Sequence, residues 1–119
     1  LDNWGLFDET GPVGLDNTYV IQNFLGGVDE NWFILVHVEI EAKAGRALAA
    51  IPALVAAAAK KDMAGVSDGL QTILAAWSMI LPVFDRMPER CDPYIYYQRV
   101  RPYIHGWKGN PALPQGLIY

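Results

Sequence analysis

The sequence predicts an all-α fold, and three observations carry that prediction. Apolar residues fill 52% of the 119 positions and charged residues only 18%, which suits one small packed domain and excludes a disordered chain. Turn-forming residues gather in 1–30 and 105–119, leaving the middle of the chain to long uninterrupted segments. Alanine dominates 42–59, and alanine is the strongest helix former.

Residues 1–30 read as loop punctuated by Gly11-Pro12, Gly14, Asp16-Asn17 and Gly26-Gly27. Within them 18–25 is a short apolar element, either a strand or a helical turn, because its length leaves periodicity undecided. The strongest helix covers 29–62, with Asp29 as its N-cap candidate and Lys60-Lys61 at the negative end of its dipole. Pro52 lacks an amide for the helical ladder, so a kink or a break into two helices is expected there. A second helix starts at Met63 or Ser67 and runs to Met87, with Pro82 disturbing its last turn. A third covers 93–104, with Pro93 suited to a first turn and Pro102 disturbing the end. Residues 105–119 return to loop composition.

Composition excludes several classes of function. A net charge of −4 gives no basic face for nucleic acid or anionic lipid. Cys91 is alone, so no internal disulfide and no cysteine-based metal cluster can form. The apolar run 47–59 is too short and too alanine-rich to span a bilayer, and residues 1–18 lack the pattern of a signal peptide. A soluble, cytoplasmic protein is expected, without a membrane partner. Alanine-rich helices bury little area, and they stand beside four Trp, six Tyr and four Phe. The chain therefore reads as a segment of a larger protein.

A helical wheel of 29–62 isolates His37 and Glu41 on its apolar side, with Phe33, Ile40, Ala44, Leu48 and Ile51. Glu39, Lys43 and Arg46 fall on the opposite, solvated side. A buried carboxylate needs a partner, so Glu41 pairs structurally with His37 or with an arginine elsewhere, or His37 belongs to a ligand pocket. On the third helix Arg101 shares a face with Tyr94, Tyr97 and Gln98. It either stacks structurally or grips a ligand carboxylate in a bidentate fork. Asp29-Glu30 and Glu89 read as solvated, and Glu39 and Glu41 diverge too far to act as a carboxylate dyad. The chain contains no H-E-x-x-H, no G-x-S-x-G, no phosphate loop and no dinucleotide fingerprint.

Two strings carry a likeness that composition does not. Phe33-Ile-Leu-Val-His37 continues through Val38-Glu-Ile-Glu41 to Ala50-Ile51-Pro52, and Arg101-Pro-Tyr-Ile-His-Gly-Trp-Lys-Gly-Asn-Pro111 ends in Gly-Leu-Ile-Tyr119. Together with Asn3-Trp4, these strings resemble the indoleamine 2,3-dioxygenase family over the whole chain. The resemblance implies a distal-side segment of a helical haem-binding domain. It implies haem b as cofactor, dioxygen as co-substrate, and cleavage of the indole C2–C3 bond of tryptophan to N-formylkynurenine. By the same resemblance Phe33 packs on the indole, Arg101 binds the substrate carboxylate, and Ile34 and Ile104 are pocket walls. Tyr96 and Tyr97 stand where two phenylalanines are usual, and His37 stands where mammalian enzymes carry serine. Tryptophan 2,3-dioxygenases use a distal histidine, which gives His37 a role at the indole N–H or at dioxygen.

The proximal iron ligand is expected beyond Tyr119, and neither His37 nor His105 matches it. No metal ligand is therefore assigned within the chain. The expected partners are a small indole and the remaining segments of the same polypeptide, with no nucleic acid. The alternatives are a haem-dependent indole monooxygenase of secondary metabolism and a non-catalytic haem- or indole-binding protein. On an ideal helix Tyr96 and Arg101 lie about 140° apart. Either Pro102 distorts the helix, or Tyr97 rather than Tyr96 shares the pocket with Arg101.

Overall fold

The computed structural model describes residues 3–104, 106 and 109–116. The chain is helix-rich, as expected, and its first element is a small hairpin. Strand β1 (Trp4–Leu6) pairs antiparallel with β2 (Thr18–Val20), Gly5 facing Tyr19. The ambiguous element at 18–25 is thus a strand over its first three residues. Its partner carries no periodic pattern of its own. The connecting loop is closed by Asn17, which accepts from the Asp8 amide and donates to the Asp8 and Pro12 carbonyls.

Helix α1 (Val28–Ala59) is continuous through Pro52 and does not divide in two. Its N-cap is Gly27, at φ 109°, and not Asp29, which lies within the first turn. At the other end Lys61 takes a left-handed conformation (φ 57°), and the Asp62 amide bonds back to the Ala57 carbonyl. The first helix ends at Ala59, so Asp62 lies beyond it and closes it only through that backbone bond. Asp62 is the N-cap of α2 (Met63–Phe84), its side chain accepting from the Gly65 amide at 3.1 Å. One residue thus closes one helix and opens the next. The two helices then approach closely: a Cβ at Gly69 would lie 2.9 Å from Leu54 Cδ1 and 3.0 Å from Leu54 Cβ.

A 3-10 turn at Met87–Glu89 leads to α3 (Pro93–Ile95), capped by Asp92. The backbone continues as a π turn over Tyr96–Val100 and a 3-10 turn over Arg101–Tyr103. The expected third helix therefore exists as a run of three helical geometries.

The core gathers at one end, where Leu15, Trp32, Leu35, Val36, Val83 and Cys91 meet. Val20, Phe33, Ile40, Met87 and Tyr96 pack against it. Phe33 and Ile40 face the core as expected and Arg46 is exposed as expected, but Glu39, His37 and Glu41 depart from their expected faces. Glu39, expected in solvent, accepts from the Leu15 amide at 2.8 Å and pairs with Lys43 at 3.0 Å. The loop before β2 covers that side. His37 and Glu41, expected on a buried face, are exposed, and Glu41 has no ion pair among the described residues. A buried His37–Glu41 pair is thereby excluded.

Further along, Leu48, Ile51 and Val55 of α1 and Leu70, Leu74, Trp77 and Leu81 of α2 are exposed. The charged residues of α1 all lie within 29–46, and 47–59 carries none. By length and composition Val28–Ala59 and Met63–Glu89 are each able to cross a membrane, contrary to the expectation from the run 47–59 alone.

Candidate functional site

Phe33 and His37 lie one turn apart on α1, so their side chains share a face. Their ring centroids are 4.4 Å apart, and Phe33 also meets Tyr96 at 4.6 Å with the planes tilted by 35°. The three rings form one half-open aromatic group. Within it His37 Nδ1 lies 2.7 Å from the Phe33 carbonyl oxygen. A carbonyl only accepts, so Nδ1 carries the proton, and Nε2 is the ring nitrogen left to face a ligand. His37 thus presents that nitrogen on an exposed side chain.

The π turn brings Arg101 round to Tyr96. Its backbone N–H donates to the Tyr96 carbonyl, a bond spanning five residues where an α-helix spans four. Pro102 follows with no amide to continue an α pattern. The angle of about 140° that an ideal helix sets between these residues therefore does not apply. The segment is thus distorted, which is one of the two alternatives the sequence left open, and the bond that joins Tyr96 to Arg101 is a backbone one. The Arg101 guanidinium donates through Nη1 to the Ile104 carbonyl. That uses one of its five donors. Next to it Tyr103 stacks on Phe24, with centroids 5.5 Å apart and planes 3° from parallel.

The other residues singled out from sequence lie apart from this group. Tyr97 is 68% exposed, one position beyond the ring that meets Phe33. Ile34 lines a separate cleft of about 270 Å³ with Asn3, Gln22, Asn23, Phe24 and Glu30. Ile104 is exposed and meets Arg101 through its backbone. His105 lies outside the described residues.

Three residues that frame the site carry no obvious sequence signal of their role. Glu30, read as solvated, is 1% exposed. Its carboxylate accepts from the amides of Phe24, Leu25 and Gly26 at 2.6, 3.0 and 2.8 Å. Burial pushes its pKa up, but these amides and the Asn23 side chain outweigh that and hold it below the usual carboxylate range. The pair Gly26-Gly27 was the available clue: both have positive φ, and the turn they form points backbone amides at the first turn of α1. Asp29 accepts from the Asp92 amide at 2.7 Å, across 63 residues of sequence. Trp32 is buried and donates from Nε1 to the Arg86 carbonyl, while the Arg86 and Arg90 guanidinium groups lie 5.3 and 5.0 Å from its ring centre. Among the described residues no three metal-ligating side chains cluster.

What this arrangement can do is hold a flat aromatic molecule against Phe33 and Tyr96, accept one hydrogen bond at His37, and grip an anion at Arg101. Comparison with known proteins identifies the family. The family model described as indoleamine 2,3-dioxygenase matches residues 1–119. Rat indoleamine 2,3-dioxygenase 1 is 35% identical over 119 residues, covering 100% of this chain and 29% of the rat protein. The indoleamine 2,3-dioxygenase of Saccharomyces cerevisiae is 35% identical over 116 residues, covering 93% of this chain and 25% of its own length. One from Aspergillus nanangensis is 34% identical over 108 residues, covering 88% of this chain and 26% of its own. The chain thus spans under a third of these relatives.

Proposed function

The chain belongs to the indoleamine 2,3-dioxygenase family, and we propose that it forms one wall of the pocket in which a longer haem protein oxidises L-tryptophan to N-formylkynurenine. The observation that carries this reading is the assembly of Phe33, His37 and Tyr96 with Arg101 brought round by the π turn.

The residues present fit a position beside a haem. Phe33 and Tyr96 offer half-buried aromatic rings, and His37 offers its Nε2 with Nδ1 held by the Phe33 carbonyl. The iron ligand belongs to the remainder of the polypeptide. Activation of dioxygen for insertion across the indole C2–C3 bond is the chemistry that haem b supplies when bound.

Everything else in the reading concerns this chain's side chains. Phe33 and Tyr96 hold the indole ring by area and by edge or face contact. His37 accepts the indole N–H at Nε2, because Nδ1 is committed to the Phe33 carbonyl. Arg101 takes the substrate carboxylate with the donors that the Ile104 carbonyl leaves free. The Tyr96 hydroxyl enlarges the polar part of this wall and favours an indole carrying a hydrogen-bonding substituent as a second substrate class.

Two further assignments belong to the same proposal. The apolar sides of α1 and α2 are surfaces for the remaining segments of the polypeptide rather than for a bilayer, and the protein is cytoplasmic. A net charge of −4 supports the absence of a nucleic-acid partner.

Arg101→Leu in the full-length protein tests the carboxylate role. The expected result is a KM for L-tryptophan raised by about tenfold or more with haem content retained, since a charge-assisted pair is lost. Unchanged tryptophan kinetics would remove the clamp from the reading.

A further inference from the structure

Two contacts join the start of α1 to the segment bearing Tyr96 and Arg101, and they share one register. The Asp92 amide donates to Asp29 Oδ1 at 2.7 Å. Four residues further along each segment, Phe33 meets Tyr96. Residues 29 and 33 are one α-helical turn apart on α1. Residues 92 and 96 are also one turn apart, because the Tyr96 amide donates to the Asp92 carbonyl at 2.8 Å. The two segments therefore leave a common tie and touch again one turn later.

The chemistry of the tie is specific. The Asp92 side chain is committed to the Tyr94 and Ile95 amides at 2.8 and 3.0 Å, so it is the Asp92 backbone that docks on α1. Asp29 is free for this because Gly27, and not Asp29, occupies the N-cap. Its carboxylate lies in the first turn, where α1 itself favours negative charge.

We propose that Asp29 is a positioning residue for the substrate wall. Through the Asp92 amide it sets the height at which Tyr96 stands against Phe33. Through the bond from the Arg101 amide to the Tyr96 carbonyl it sets where the guanidinium begins. The first of these is a property of the fold; only the effect on tryptophan rests on the function proposed above.

Hydrogen exchange and steady-state kinetics on the full-length, haem-loaded protein test both parts. In Asp29→Ala the amides of Asp92 and 94–96 exchange about tenfold faster, and in Asp29→Asn, whose side-chain oxygen still accepts, they stay within about threefold of wild type. The kcat/KM for L-tryptophan falls about tenfold in Asp29→Ala and recovers in Asp29→Asn. In a Tyr96→Ala background the same Asp29→Ala change costs less than about twofold, because the two residues act as one unit.

Unaltered exchange at 92–96 in Asp29→Ala overturns the proposal, and so do losses that simply add in the double mutant. If Asp29→Ala does not fold, Asp29→Glu keeps the charge and moves the acceptor by one methylene, and exchange as in wild type then overturns the tie. If the wild-type protein does not turn over tryptophan, the function proposed above fails by itself, and the exchange result still decides the role of Asp29.

Discussion

Glu30 shows how a charge becomes part of a scaffold. Its buried carboxylate accepts from three backbone amides, so removing it takes the acceptor from all three donors at once. Glu30→Gln in the full-length protein is expected to lower unfolding stability by about 2–3 kcal/mol, since an amide nitrogen would then face those donors. The pH dependence has a definite sign. The folded pKa is depressed below 4.5, so the stabilisation is complete above the unfolded value and is lost as pH falls through the folded one. Denaturant titrations at acid pH should show a steeper loss for wild type than for Glu30→Gln, and parallel curves would contradict this. Neither the burial of Glu30 nor the role of Asp29 was legible in the sequence. Two acids at a helix start match the dipole whether or not they touch anything, and their partners are backbone amides, which leave no side-chain pattern. The contact between Phe33 and His37 was legible from their one-turn spacing, and motif strings single out Arg101.

At the scale of elements, Asp62 closes one helix and opens the next, and its side chain satisfies an amide at the start of α2. Asp62→Ala is expected to cost about 0.5–2 kcal/mol, the range for loss of an N-cap, measured by chemical unfolding. A change within experimental error would mean that the turn is held by its backbone bonds alone. The helices themselves were legible from alanine content and punctuation, and their joints less so. An ideal wheel assumes 100° per residue, and the π turn breaks that rule where Tyr96 and Arg101 are compared. The wheel of α1 ranked its faces by hydrophobicity, yet the loop before β2 covers the face holding Glu39, because that carboxylate supplies the acceptor the Leu15 amide needs. Pro52 sits inside α1 without ending it, so a proline in the sequence marked a missing hydrogen bond and not a boundary.

Over the whole molecule the radius of gyration is 18.7 Å, against about 13.5 Å for a compact domain of this length. The excess comes with large side chains left open: Leu48 is 59% exposed, Leu74 66% and Trp77 54%. An exposed apolar surface of this size marks an interaction site; the function proposed above assigns it to the remaining segments of the polypeptide, the chain spanning 29% of its rat relative. Leu74→Ala in the full-length protein is therefore expected to cost about 2–5 kcal/mol, as in a core, and not the few tenths typical of a surface site. A surface-like value would place that face in solvent.

The central claim, that this wall serves dioxygen insertion into tryptophan, is tested most directly by product mass. The reduced full-length protein is given L-tryptophan and isotopically labelled dioxygen. Both labelled oxygen atoms in a ring-opened product is the expected result. A single labelled atom on an intact ring would contradict it and make the protein a monooxygenase, and haem-bound protein with no product would leave a binding protein.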